Sequence, residues 1–398
     1  VHYVSLMTGA HPLDVLAGPS RPTFSADEMS RRTEVLDAAL AAAGVRHCVL
    51  YGANRSGSAV QWLTGWPVTR EAVVVHTIGE PDTLLVHFFN HVPQARALAP
   101  AADVRWAGST TASLLDELRR RGAVGGEVAV VGAVPFGMHT ALRENIGGLA
   151  DLNGSYTRMR LCKSAEELAW LRAAAHLTDL SCAALRDGTH AGSTEYELGA
   201  LVEDSYLAHG GTNYIHYFAL TAMAEPAQCV PSQWPSGRVV NRGDVLACEL
   251  STAVGLDYPG QLLRTFTVAE PPTPLVTELH QVADAALSRI EAMLAPGVLP
   301  EQIVAAADVI EDAGFTTVDD LVHGLGGGYL PPVFGSRSRT LEALPTLPLA
   351  EGMTIVVQPN VTTPDGRIGV QTGELFEITA TGCARLHQFP RGLGRIDG

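Results

Sequence analysis

The sequence predicts an α/β domain over residues 1–157 followed by an α+β domain over residues 158–398. Three observations predict this. From residue 28 to about 155, short apolar runs alternate with helical stretches. Near residue 158 the texture changes to a long, capped helix. Beyond it, helices and strand candidates come in separate runs, the arrangement of an α+β unit. A chain of 398 residues has room for two domains at roughly 100–200 residues each. With 46% hydrophobic and 17% charged residues it can bury a sizeable core.

Residues 28–50 read as an amphipathic helix followed by a strand. Val35, Leu36, Ala39, Leu40 and Ala43 recur at helical spacing, Gly44 ends the helix, and HCVLY is a short apolar strand. AVVVH (72–76), TLLVHFF (83–89) and VAVVG (128–132) are further strand candidates, with SLLDELRRRG (113–122) as a helix among them. YGANRSGSAVQWLTG (51–65), rich in Gly and Ser, reads as a loop, either over a neighbouring site or as an ordinary connection. Ser164 with Glu167 forms a capping box, and Leu168, Leu171, Ala175 and Leu185 continue its helix as an apolar stripe. Glu195–His209 is a second helix and Thr277–Leu294 a third, stopped by Pro296-Gly297. VLACEL (245–250), LLRTFTV (262–268), TIVVQP (354–359) and ELFEIT (374–379) are strand candidates, and PPTPL (271–275) reads as a loop.

The chain carries 27 basic and 42 acidic residues, a net charge of −15. Such a surface repels phosphate backbones and anionic lipid, so neither nucleic acid nor a membrane is expected as a partner. No apolar run reaches the roughly 18 residues of a membrane span. Val1–Ser20, with Pro12, Asp14 and Pro19, lacks a signal-type apolar stretch, so export is not expected. Six scattered cysteines without CxxC spacing argue against a structural zinc site or a disulfide scaffold and suit a reducing cytoplasm. Lys163 is the only lysine among the basic residues, which reads as the codon bias of a GC-rich bacterial genome.

Several segments, taken in order, resemble the creatinase, Xaa-Pro aminopeptidase and methionine aminopeptidase superfamily. RMRLCKSAEELAWLRAAA (158–175) is similar to its domain-entry helix and NRGDVLACELSTAVGLDYPGQLLRTFTV (241–268) to its paired strands. VHGLGGGY (322–329), LAEGMTIVVQPNV (349–361) and IGVQTGELFEITATGC (368–383) are similar to its later segments. WLTG (62–65) lies in a half resembling the small domain of creatinase and prolidase. The resemblance implies a pita-bread fold for 158–398 and a homodimer. In the peptidases of this superfamily, two metal ions are held by two Asp, one His and two Glu. Those positions fall here on Glu249, Gln261, His323, Gln358 and Gly373, the last with Glu374 beside it.

Two carboxylates have become amides and one position has no side chain, so the ligand set is read as lost, with no metal and no cofactor expected. The creatinase branch is metal-free, but its catalytic His position falls on Ser232 and its substrate-holding glutamates on Leu263 and Gln358. His323, in a Gly-rich turn, is then the candidate proton shuttle. Glu249 is the candidate general base, or alternatively a partner for Arg264 on the neighbouring strand. Gln261, Gln358, Arg264, Ser232, Tyr329 and Glu374 are candidates for holding a small-molecule substrate.

The resulting expectation is a metal-independent, creatinase-like enzyme. It would cleave or rearrange a C–N bond in a small amino-acid-like or amidino compound, in bacterial specialised metabolism. A metal-dependent Xaa-Pro peptidase with an atypical site and a non-catalytic binding protein are the alternatives.

Overall fold

The computed structural model describes residues 11–18, 21–54, 56–255, 257–339 and 343–397. They divide into two units: residues 23–160, and residues 161–397 together with the described residues ahead of Thr23. Those leading residues were expected in the N-terminal domain. Instead Pro12–Leu16 forms a 3-10 turn, and the His11 ring meets His176 edge-on at 5.4 Å.

The first unit runs α1 (Ala26–Ala42), β1 (His47–Ala53), α2 (Ala59–Thr64), β2 (Glu71–Thr77), β3 (Glu80–Val86), α3 (Val92–Leu98), β4 (Asp103–Trp106), α4 (Thr110–Arg120), β5 (Val128–Val131), α5 (Phe136–Asn145), β6 (Leu149–Asp151) and α6 (Asn153–Met159). The strands form one mixed sheet in the order β4-β3-β2-β1-β5-β6. Side chains alternate faces along a strand. Cys48 and Leu50 of β1 therefore pack with Leu36 and Leu40 of α1, while Val49 and Tyr51 pack with Leu114 and Leu118 of α4. A strand buried on both faces reads as an unbroken apolar run, as AVVVH and VAVVG do. The segment 51–65, expected as a loop, contains the end of β1 and the short helix α2, closed by Gly65 at φ 74.

The second unit runs α7 (Ala165–Gly188), α8 (Glu195–Leu207), β7 (Thr212–Ala222), β8 (Asp244–Val254), β9 (Tyr258–Val268), α9 (Pro274–Glu291), α10 (Pro300–Ala306), α11 (Val309–Asp312), β10 (Thr316–Thr317), β11 (Val322–Leu325), β12 (Tyr329–Phe334), β13 (Thr354–Val357), β14 (Val361–Thr362), β15 (Glu374–Ile378), β16 (Cys383–Arg385) and β17 (Gly394–Ile396). Two sheets dominate it, ordered β17-β9-β8-β7 and β12-β11-β13-β15-β16.

The capping box forms as the sequence indicates. Glu167 N–H donates to Ser164 Oγ at 3.2 Å, and Ser164 N–H donates to Glu167 Oε2 at 2.9 Å. Helix α7 lies hard against β9: a Cβ on Gly260 would sit 2.5 Å from Ala175 Cα, so only glycine permits this approach. Val276, Leu279, Leu287 and Ile290 of α9 pack into one core with Ile355, Val357 and Phe376 of the second sheet. Helix α9 starts earlier than expected because PPTPL holds its cap, with Thr273 Oγ1 accepting from Val276 N–H and Pro274 in the first turn.

Candidate active site

The register of β8 and β9 builds the site. Glu249 faces Leu263 across the ladder and Ser251 faces Gln261, so Glu249 and Gln261 lie on the same face of the sheet. Cys248 and Arg264 pair one step along and face the other way. Strand β11 adds His323, and the turn after β13 adds Gln358. These side chains line a cavity of about 370 Å³ together with Tyr217 of β7, Tyr329 of β12 and the pair Asp319 and Asp320. That volume lies within the usual small-ligand range of about 300–1,000 Å³.

Inside the cavity the amide of Gln261 is the hub. Its Nε2 donates to Glu249 Oε1 at 2.9 Å and to Gln358 Oε1 at 3.0 Å. The Gln358 side chain lines the same cavity as the His323 imidazole. His323 Nδ1 donates to the Gly324 carbonyl at 3.2 Å, and its ring stacks on Tyr329 with centroids 4.3 Å apart.

Burial pushes the Glu249 carboxyl up to about 8, reinforced by the like charges of Asp319 and Asp320. Burial also lowers His323, which keeps its ring neutral near pH 7. The site thus places a proton-bearing carboxyl and a neutral imidazole on one cavity, with the carboxyl tied through the Gln261 amide to Gln358.

The other residues expected here lie elsewhere. Arg264 and Glu374, fully buried, form an ion pair at 2.6 Å. Arg264 also donates to the carbonyls of Leu263, Gly373, Phe389 and Pro390, and Arg385 and Arg391 share Glu374. Neither side chain lines the cavity. The alternative pairing of Glu249 with Arg264 does not form, because the two face opposite sides of their strands. The Ser232 hydroxyl takes a hydrogen bond from Gln228 Nε2 at 2.9 Å and is not part of the lining, although Pro231 and Gln233 are. Sequence reasoning missed Asp319, Asp320 and Tyr217. The adjacent aspartates just ahead of His323 were a legible signal for the first two.

The model of metallopeptidase family M24 matches residues 169–380, and the chain belongs to this family. It is 26% identical over 237 residues to proteins named probable dipeptidase PepE from Mycobacterium bovis and Mycobacterium tuberculosis. The alignment covers 59% of this chain and 61% of those relatives. Among solved structures, the Xaa-Pro dipeptidase from Bacillus anthracis superposes with a TM-score of 0.78 at 20% identity, covering 92% of this chain and 99% of that one. Dipeptidase PepE from Mycobacterium ulcerans superposes with a TM-score of 0.78 at 21% identity, covering 94% and 99%. The fold is therefore that of the prolidases, with an N-terminal domain and a pita-bread C-terminal domain. These findings overturn the expected metal-independent, creatinase-like reaction: the family is one of metallopeptidases and the named relatives are dipeptidases.

The family name implies metal, and the residues present can be tested against it. Of the five positions that the resemblance assigns, one holds a carboxyl, one an imidazole, two hold amides and one is glycine. Gln261 turns amide hydrogens toward Glu249 and Gln358, where a cation needs lone pairs. At Gly373, a Cβ would lie 2.5 Å from Leu263 Cδ1, so leucine fills the space of a fifth ligand. Glu374 is engaged by Arg264. Among the described residues, no three His, Cys, Asp or Glu side chains come together in a group that could hold a metal ion. This donor set does not fit a dinuclear centre.

Proposed function

We propose that the chain is a hydrolase of amide C–N bonds in short peptides. The observation that carries the reading is the convergence of Glu249 and His323, with Gln261 and Gln358, on one cavity inside the segment matched by the peptidase family. In this reading a water molecule enters the cavity beside the tyrosines and attacks the carbonyl carbon of the bound amide. The Gln261 amide holds Glu249 in position, and the Gly324 carbonyl and the Tyr329 ring hold His323. The neutral imidazole of His323 can take a proton from the attacking water as its oxygen bonds the carbonyl carbon, and the Glu249 carboxyl, protonated near neutral pH, can give its proton to the amine as the C–N bond breaks. We take the chain to be a cytoplasmic homodimer, on its resemblance to creatinase and prolidase.

The test is direct. Purified protein is incubated with a dipeptide set that includes Xaa-Pro members, with and without added Mn²⁺, Co²⁺ or Zn²⁺, and released amino acids are read by mass spectrometry. Release that disappears in Glu249→Gln and His323→Ala supports hydrolysis at this site. Absence of release under every condition removes the proposal. A second reading, peptide binding without turnover, is favoured by the Gln261 bridge, which turns ligand positions into an internal hydrogen-bond network. Retained binding without release would select it.

A further inference from the structure

The charge of the cavity wall indicates what the site accepts. Among the described residues, the carboxyls that line it are Glu249, Asp319 and Asp320, and no lysine or arginine lines it. Asp319 accepts from the Asp320 backbone N–H at 2.8 Å and from Asn360 Nδ2 at 3.3 Å, and Asp320 accepts from the Tyr329 hydroxyl. These partners are neutral, and among the described residues no cationic side chain pairs with either half-buried carboxylate. Asn360, only 1% exposed, leaves its Oδ1 without a protein partner beside Asp319. The lining therefore carries two carboxylates, and Tyr214, Tyr217 and Tyr329 line the same cavity. Anions and aromatic faces together are the environment that attracts an ammonium or guanidinium group. A free C-terminal carboxylate would face Asp319 and Asp320 with no cationic side chain among the described lining residues to pair with it.

We propose that the site takes a cationic ligand, a short peptide whose free amine is held by Asp319 and Asp320 and whose C-terminal end is blocked or lies outside the cavity, in preference to a zwitterionic dipeptide. This rests on the peptide reading above for the body of the ligand, but the charge preference stands on the cavity wall alone.

The experiment measures equilibrium binding by calorimetry for four probes: alanyl-alaninamide, alanyl-alanine, N-acetyl-alanyl-alaninamide and n-butylammonium. The cationic dipeptide amide is expected to bind about ten-fold or more tightly than either the zwitterion or the acetylated form. Its affinity should also fall as ionic strength rises. Asp319→Asn and Asp320→Asn, each checked for an unchanged circular dichroism spectrum, should each erase most of that preference. Binding of n-butylammonium with no binding of any dipeptide form would uphold the charge preference while removing the peptide reading. Equal binding of the amide and its acetylated form, or no binding of either cation by wild-type protein, would overturn the inference.

Discussion

Arg264 and Glu374 form an ion pair at 2.6 Å with side chains 1% and 0% exposed, behind the sheet face that carries Glu249 and Gln261. A buried pair is costly to break on one side only, because the remaining charge keeps its desolvation penalty. Arg264→Met is expected to destabilise the C-terminal unit by about 3–5 kcal/mol. Denaturant unfolding measures this. A loss below about 1 kcal/mol would show that Arg385 and Arg391 alone satisfy Glu374.

Stability should depend on pH through Glu249. Its folded-state pKa, about 8, lies above the ordinary value of 4.5, so on raising the pH the unfolded chain releases this proton first. The contribution is whole below about pH 4.5 and is lost as the pH climbs through about 8, a change on the order of a few kcal/mol. Glu249→Gln removes the titrating group and keeps an acceptor for Gln261. Its melting temperature should change less than the wild type's between pH 5 and 9, and parallel curves would refute this assignment.

Position 373 should not tolerate even a methyl group. Gly373→Ala puts a carbon 2.5 Å from Leu263 Cδ1 and 3.2 Å from Gln358 Cβ, overpacking of the kind that costs about 1–3 kcal/mol. Adding Leu263→Ala should recover part of that loss if the contact is its cause. Thermal unfolding of the single and double variants gives the coupling.

His323→Ala removes both the Tyr329 stack and the bond to the Gly324 carbonyl. Where peptide hydrolysis is measured, the rate constant is expected to fall about 10²-fold or more, with a smaller change in KM. A variant that turns over at the wild-type rate would exclude the imidazole from proton transfer.

The fold was readable wherever one local rule dominated. The Ser164–Glu167 box, the paired strands 245–250 and 262–268 and the apolar face of α9 all appear where the sequence indicates. Strand β7 escaped because its first half is only partly buried and so shows neither clean alternation nor a continuous apolar run. Site residues were less legible. Glu249, Gln261, His323, Gln358 and Tyr329 line the cavity, but Arg264 and Glu374 are charged residues near the motif whose strand parity turns them away from it. Asp319 and Asp320 lie on a loop between β10 and β11, and only the tertiary structure brings that loop to Glu249.

Leu263 and a side chain at position 373 exclude one another on this backbone. Passage between a carboxylate there and the present glycine therefore requires changes at both positions. Reversal at either position by itself meets an overlap or leaves a void. The interlock works as a ratchet: once the pair has changed, single-step reversion is disfavoured, and any attempt to reinstall the missing ligand must begin by shrinking residue 263.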